Sequence, residues 1–211
     1  MARRVKEVER TTNTRQRNKL IILGVEGKNN KTEKLYFSSF VRDLKGVNFV
    51  FACNKTDPEG IVKGTIIKAQ KEDIDIEYGD VAVTMFDVDA DNYKSKQIKA
   101  AKDLANKSKY KVSVITSNPC FEIWYLEHFK FSTKEFISSQ NVKKEMCSII
   151  KDYKESGDYY SLLKPLTKDA ISNCEKLKKY NTKNHSDIEE EYWNPSTNVY
   201  LFVKKLLNYQ I

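Results

Sequence analysis

Several signatures are missing from the 211-residue chain, and each absence excludes a class. Nothing matches GxxxxGK[ST], so the chain has no P-loop with which to hold a nucleotide. No apolar run approaches the roughly 20 residues that a membrane helix needs. The first 19 residues lack the apolar middle of a signal peptide. The four cysteines, Cys53, Cys120, Cys147 and Cys174, lie far apart with no CxxC pair. That excludes a sequence-local zinc site and a disulfide framework, and a cytoplasmic protein is the expectation. Seven glycines and four prolines are too few for a low-complexity chain. His128 and His185 are the only histidines, so histidine acid–base chemistry has little to draw on.

Positive charge is abundant: 37 Lys+Arg stand against 29 Asp+Glu, a net charge of +8. The excess is uneven. The first 19 residues hold seven Lys/Arg and two acids, and residues 130–184 hold twelve lysines and seven acids. Residues 1–18 read as a basic N-terminal arm. A basic chain suits a polyanion such as nucleic acid, although a soluble Lys-rich protein would look similar.

Strand and helix patterns alternate from residue 19. Apolar runs end at Glu26-Gly27, in "NFVFACN", at Asp87 and in "KVSVITS". Helical periodicity lies between them: Leu35, Phe37, Phe40 and Leu44, then a segment capped by Asp57 and Pro58, then an Ala-rich stretch near Ala100. Connections of this length imply crossover helices and a mainly parallel four-stranded sheet. Asn118-Pro119 and Asn194-Pro195 read as helix starts, with Asn capping and Pro in the first turn. Beyond residue 130 the pattern is helical, beginning with a capping-box spacing from Ser132 to Glu135. The expected plan is a basic arm (1–18), an α/β core (19–130) and a helical C-terminal extension packed on it (131–211). Val199, Phe202, Val203, Leu206 and Leu207 form an apolar stripe that reads as core first and interface second.

The segment "MFDVDADNY" places Asp87, Asp89 and Asp91 directly behind an apolar strand. Residues two apart in a strand point the same way, so Asp87 and Asp89 share a side and Val88 turns to the core. Carboxylates so close repel one another, and a shared hard cation, Mg²⁺ first, removes the repulsion. An isolated DxD is as readily a solvated strand end. Glu26, at the end of another strand, favours the metal reading, because ligands gather at the carboxyl ends of parallel strands. Asn118 and Glu122 follow the fourth strand and are secondary candidates, as is Lys28 for phosphate contact. Lys28 and Lys31 also read as ordinary solvated lysines, and Glu33 as a charge favouring a helix N-terminus and nothing more. Cys120 has no histidine within reach along the chain and reads as packing.

A strand ending in Glu26 and a later strand ending in Asp87 and Asp89 resemble the Toprim domain of topoisomerases, primases and some nucleases. Within that group, "EGKNNKTEKLYF", "FDVDADN", "SNPCFEIWYLEHF" and "NPSTNVYLFVKKL" resemble the RloB-like family of bacterial restriction and anti-phage loci. The resemblance spans almost the whole chain. It implies a Toprim-like fold and phosphodiester hydrolysis with Mg²⁺, or Mn²⁺ in its place. Glu26 would be catalytic, as proton-transfer group or as metal ligand, and Asp87, Asp89 and Asp91 would be metal ligands. It further implies a toxic effector of antiviral, abortive-infection defence, controlled by an ABC-type ATPase encoded nearby. RNA is favoured over DNA, with tRNA by analogy, and homo-oligomerisation stays open. The Toprim pattern often has Gly soon after DxD, where this chain has Asn92-Tyr93. A haloacid-dehalogenase phosphatase would carry DxD on its first strand, and a receiver domain suits neither the charge nor the helical tail. The alternative from another class is a non-catalytic nucleic-acid-binding or sensor subunit with a vestigial site.

Overall fold

The computed structural model describes residues 17–27, 32–52, 55–88 and 92–210. The basic arm therefore lies outside the described residues up to residue 16. Strands β1 (Lys19–Val25), β2 (Val47–Phe51), β3 (Val81–Asp87) and β4 (Ser113–Asn118) fall on the four apolar runs. Between them run α1 (Thr32–Phe40), α2 (Pro58–Lys71) and α3 (Asn92–Lys107). The Asp57 carboxylate caps α2 by accepting from the Gly60 N–H at 2.6 Å, with Pro58 in the first turn. Helices α4 (Glu122–Phe129), α5 (Ser139–Ile149), α6 (Tyr160–Leu163), α7 (Thr167–Asn184) and α8 (Val199–Leu207) follow among the described residues.

The sheet has five strands, not four, in the order β2-β1-β3-β4-β5, where β5 is Ser196–Thr197. The first four are parallel and β5 is antiparallel to β4. No apolar period announces a two-residue strand. It is held instead by a bond between the Ser117 and Thr197 hydroxyls at 2.7 Å and by the Asn198 N–H donating to the Thr116 carbonyl. Both Asn-Pro pairs also depart from the expected helix starts. Asn118-Pro119 and Asn194-Pro195 are cis peptides, a form that the tertiary amide before proline permits. Helix α4 begins only at Glu122, and β5 rather than a helix follows Pro195. The Ser132–Glu135 capping box does not form. Ser132 accepts from the Lys134 N–H in a local turn, and α5 begins at Ser139.

One apolar layer joins Ile21, Leu23, Val25, Val83 and Met85 of the sheet to Tyr36 and Phe37 of α1, Trp124 and Tyr125 of α4, and Phe202 and Val203 of α8. The other joins Ile22, Ala82 and Phe86 to Ile61 and Val62 of α2 and to Ile98 of α3. The alternation of strand residues between these layers follows from the period of two. The first layer also takes in Val142, Met146, Leu163, Ala170 and Cys174, so one continuous core runs through the C-terminal helices. The α8 stripe is core: Val199, Phe202, Val203 and Leu206 are buried.

Candidate functional site

With α1 on one face and α2 and α3 on the other, the strand order reverses direction between β1 and β3. In an open parallel sheet that reversal opens a crevice at the carboxyl ends, the usual seat of a ligand. Val25 pairs with Met85 in the β1–β3 register. Glu26, in the bend after β1, and Asp87, the last residue of β3, therefore leave neighbouring strand ends at the reversal. Both are half-buried. Asp87 is two residues beyond Met85 and so falls on the α1/α4 side, while Val88 turns into the opposite layer. Asp89, Asp91 and Lys28 lie outside the described residues.

The next strand brings two more candidates to this edge. Asp87 pairs with Ser117 in the β3–β4 register, and the Val88 N–H donates to the Ser117 carbonyl at 2.9 Å. Asn118 ends β4, buried, and its Oδ1 finds no partner among the described residues. Glu122 opens α4 and is 3% exposed. Its Oε1 accepts from the Thr32 hydroxyl and from the Tyr153 hydroxyl, each at 3.0 Å. Cys120 is fully buried. Burial above all, then the Glu122 and Asp87 carboxylates, pushes its thiol well up, which suits packing and disfavours a thiolate.

Sequence reasoning missed several polar groups here. Glu33 and Lys34, in the first turn of α1, are buried rather than solvated. The Lys34 ammonium donates to the Gly27 carbonyl at 3.4 Å, one residue past Glu26. Tyr153 and Lys143 come from the C-terminal helical part. Burial works against the Lys143 charge, but Glu155, 2.7 Å away, and then Glu122 outweigh it and hold the ammonium above the usual lysine range. A polar first turn announces only a helix start, and Tyr153 is 31 residues from its partner, so no local pattern marks either. His128 sits apart from this edge, near the end of α4. Burial lowers it to about 4, and its Nδ1 meets the Trp124 carbonyl at 2.8 Å.

The described donors at the crevice are carboxylate and amide oxygens, a set suited to a hard divalent cation rather than to zinc or copper. Among the described residues no three His, Cys, Asp or Glu groups converge on one point. Of the three expected ligands Asp87 alone lies among the described residues, and its carboxylate chemistry fits Mg²⁺.

A model of the family described as RloB-like protein matches residues 21–206, from β1 to the last turns of α8. The chain belongs to the RloB-like family. No protein of curated function and no solved structure matches it. The family match covers Glu26, Asp87 and the C-terminal helices. No helix among the described residues of this RloB-like protein is long and apolar enough to cross a membrane.

Proposed function

We propose that this RloB-like protein is a metal-dependent nuclease of Toprim type. The observation that carries the reading is the exit of Glu26 and Asp87 from adjacent strand ends at the sheet's reversal. Asp87, with Asp89 and Asp91 beyond it, would hold Mg²⁺, or Mn²⁺ in its place. A bound Mg²⁺ stabilises negative charge developing at phosphorus and makes water a better nucleophile. Glu26, past the neighbouring strand end, would take or give a proton at the attacking or leaving oxygen. Asn118, with a buried carbonyl oxygen to offer, and Lys28 are the secondary contacts. The substrate is a phosphodiester polyanion, RNA before DNA, with tRNA by analogy to related Toprim effectors. The role is that of a toxic effector in anti-phage defence, held in check by an ABC-type ATPase.

Glu26→Gln keeps size and removes charge. It should abolish cleavage of an RNA substrate in Mg²⁺ while leaving the circular dichroism spectrum and melting temperature near wild type. Full activity in that variant, or in EDTA, overturns the reading. RNA binding without cleavage by wild type in either metal favours the alternative, a non-catalytic binding subunit. A metal bound by Asp87 also stabilises the fold by linkage. Millimolar Mg²⁺ or Mn²⁺ should therefore raise the melting temperature, and Asp87→Asn should flatten the response. For the partner, co-expression with an ABC-type ATPase encoded beside the gene should suppress toxicity and co-purify the two chains. Equal toxicity with and without the ATPase removes the partner and leaves the nuclease reading standing.

A further inference from the structure

We propose that Glu122 is a positioning residue rather than a metal ligand, and that through it the C-terminal helical part becomes a structural component of the carboxyl-end site. The inference rests on the nuclease reading for its purpose, but the hydrogen bonds stand without it. One carboxylate oxygen, Glu122 Oε1, joins three separated parts of the chain. Thr32 is the first residue of α1, six positions after Glu26. Tyr153 belongs to the segment between α5 and α6. Glu122 itself opens α4, just past the turn that leaves β4 beside Asp87.

A buried carboxylate needs hydrogen-bond donors, and here two hydroxyls supply them. Further bonds tie the same parts together. Thr32 Oγ1 also lies 3.4 Å from the Glu155 carbonyl, and the Glu155 carboxylate pairs with Lys143 of α5 at 2.7 Å. Farther along, the Ser39 hydroxyl of α1 donates to Asp158 at 2.6 Å, and the Tyr160 hydroxyl donates to Asp43, in the turn after α1, at 2.6 Å. Residues 153–160 thus run as a strap along α1 with its upper end on Glu122. The Tyr153 ring is packed independently of its hydroxyl, against Tyr159 at 5.1 Å, so removing the hydroxyl alone spares the packing. The first turn of α1 and the turn after β4 are held in one register by an oxygen that is already occupied by these donors.

This arrangement separates a positioning role from a ligand role by substitution. Glu122→Gln retains an oxygen that accepts from both hydroxyls, whereas Glu122→Ala does not. Tyr153→Phe removes one donor and leaves the carboxylate untouched. The tests use the full chain with Mn²⁺ as the probe. Calorimetry of Mn²⁺ binding should place Glu122→Gln within about threefold of wild type. Loss of a buried hydrogen bond should make hydrogen exchange about tenfold faster in Tyr153→Phe, at the amides of residues 32–36 and 120–123. Glu122→Ala should show at least the same acceleration and weaker Mn²⁺ binding. If Glu122→Gln weakens Mn²⁺ as much as Asp87→Asn does, Glu122 is a ligand and the proposal fails. Unchanged exchange in Tyr153→Phe also overturns it. If wild type binds no Mn²⁺, the nuclease reading falls, and the exchange measurement alone judges the positioning role.

Discussion

Glu127 and His128 are neighbours on α4, both buried, and burial moves their proton equilibria in opposite senses. Burial, only partly offset by the Ser132 backbone and Lys176, raises Glu127 to about 8. Burial lowers His128 to about 4 against the pull of the Trp124 carbonyl. The folded state thus prefers both side chains neutral. For Glu127 the raised value means that its stabilisation is full below the unfolded carboxyl value, near 4.5, and is lost as pH rises through about 8. For His128 the lowered value means that its stabilisation is full above the unfolded value, near 6.5, and is lost as pH falls through about 4. Between about pH 4.5 and 6.5 the two slopes oppose each other. Above that only Glu127 acts, at up to about 1.4 kcal/mol per pH unit. Urea unfolding should accordingly show a plateau near pH 5–6 and a decline from pH 6.5 to 8. Glu127→Gln should remove that decline, and a variant as pH-sensitive as wild type would show that Glu127 is not the group responsible. Nothing in "YLEHF" marks Glu127 as buried. A glutamate on an amphipathic helix reads as its wet face, and only the covering of α4 by α7, where Asn173 donates to the Glu127 carbonyl, removes it from water.

At the scale of elements, β1 owes its close fit to Gly24. A Cβ there would fall 2.1 Å from Thr65 Oγ1 of α2, with Ile61 and Thr84 methyl carbons at 3.1 and 3.2 Å. Thr65 is stiff at χ1, and its hydroxyl is bonded to the Ile61 carbonyl at 2.9 Å. Gly24→Ala should cost about 1–3 kcal/mol by overpacking, and Thr65→Ala in the same chain should recover part of it. Additive losses in chemical denaturation would mean that the two positions do not meet. The strand leading to Glu26 is thus set against α2 by a missing side chain, a reason for "LGVEG" that the apolar pattern does not supply. The four parallel strands were legible because each is an apolar run bounded by polar residues, and Glu26 and Asp87 were legible because each ends such a run. The fifth strand was not, because two residues carry no period. The two prolines misled because Pro in a first helical turn and cis Pro in a turn share the same local sequence. Thr32, Lys143 and Tyr153 were invisible for another reason: their roles come from hydrogen bonds across 90 or 31 residues, or from α5 packing beside α4.

Across the whole molecule, net charge of +8 sets up attraction for a polyanion that needs no particular fold. Part of that charge has internal work. Arg17 forms two bonds to the buried Asp80, at 3.0 and 2.9 Å, while the Leu20 and Asp75 N–H groups donate to the same carboxylate. Arg17 therefore helps to fasten the start of β1, and a truncation meant to test the basic arm has to stop at residue 16. Lys178 is likewise paired, with Glu190 at 2.9 Å, and Lys204 with Glu175 at 2.6 Å. Lys176, Lys179 and Lys183 remain exposed along α7. If these lysines and the arm meet phosphates, binding releases counterions, and the log of affinity falls linearly with the log of salt concentration. Deleting residues 1–16 should flatten that line. Changing Lys176, Lys179 and Lys183 together to Gln should flatten it by about 0.7 for each single-strand phosphate that is no longer neutralised. Turnover of bound substrate should change little in either variant, because both leave Glu26 and Asp87 in the sequence unaltered. RNA affinity measured from 50 to 300 mM KCl decides the matter. A slope unchanged in both variants would mean that the excess charge serves solubility, and that the polyanion is gripped by residues at the carboxyl-end crevice alone.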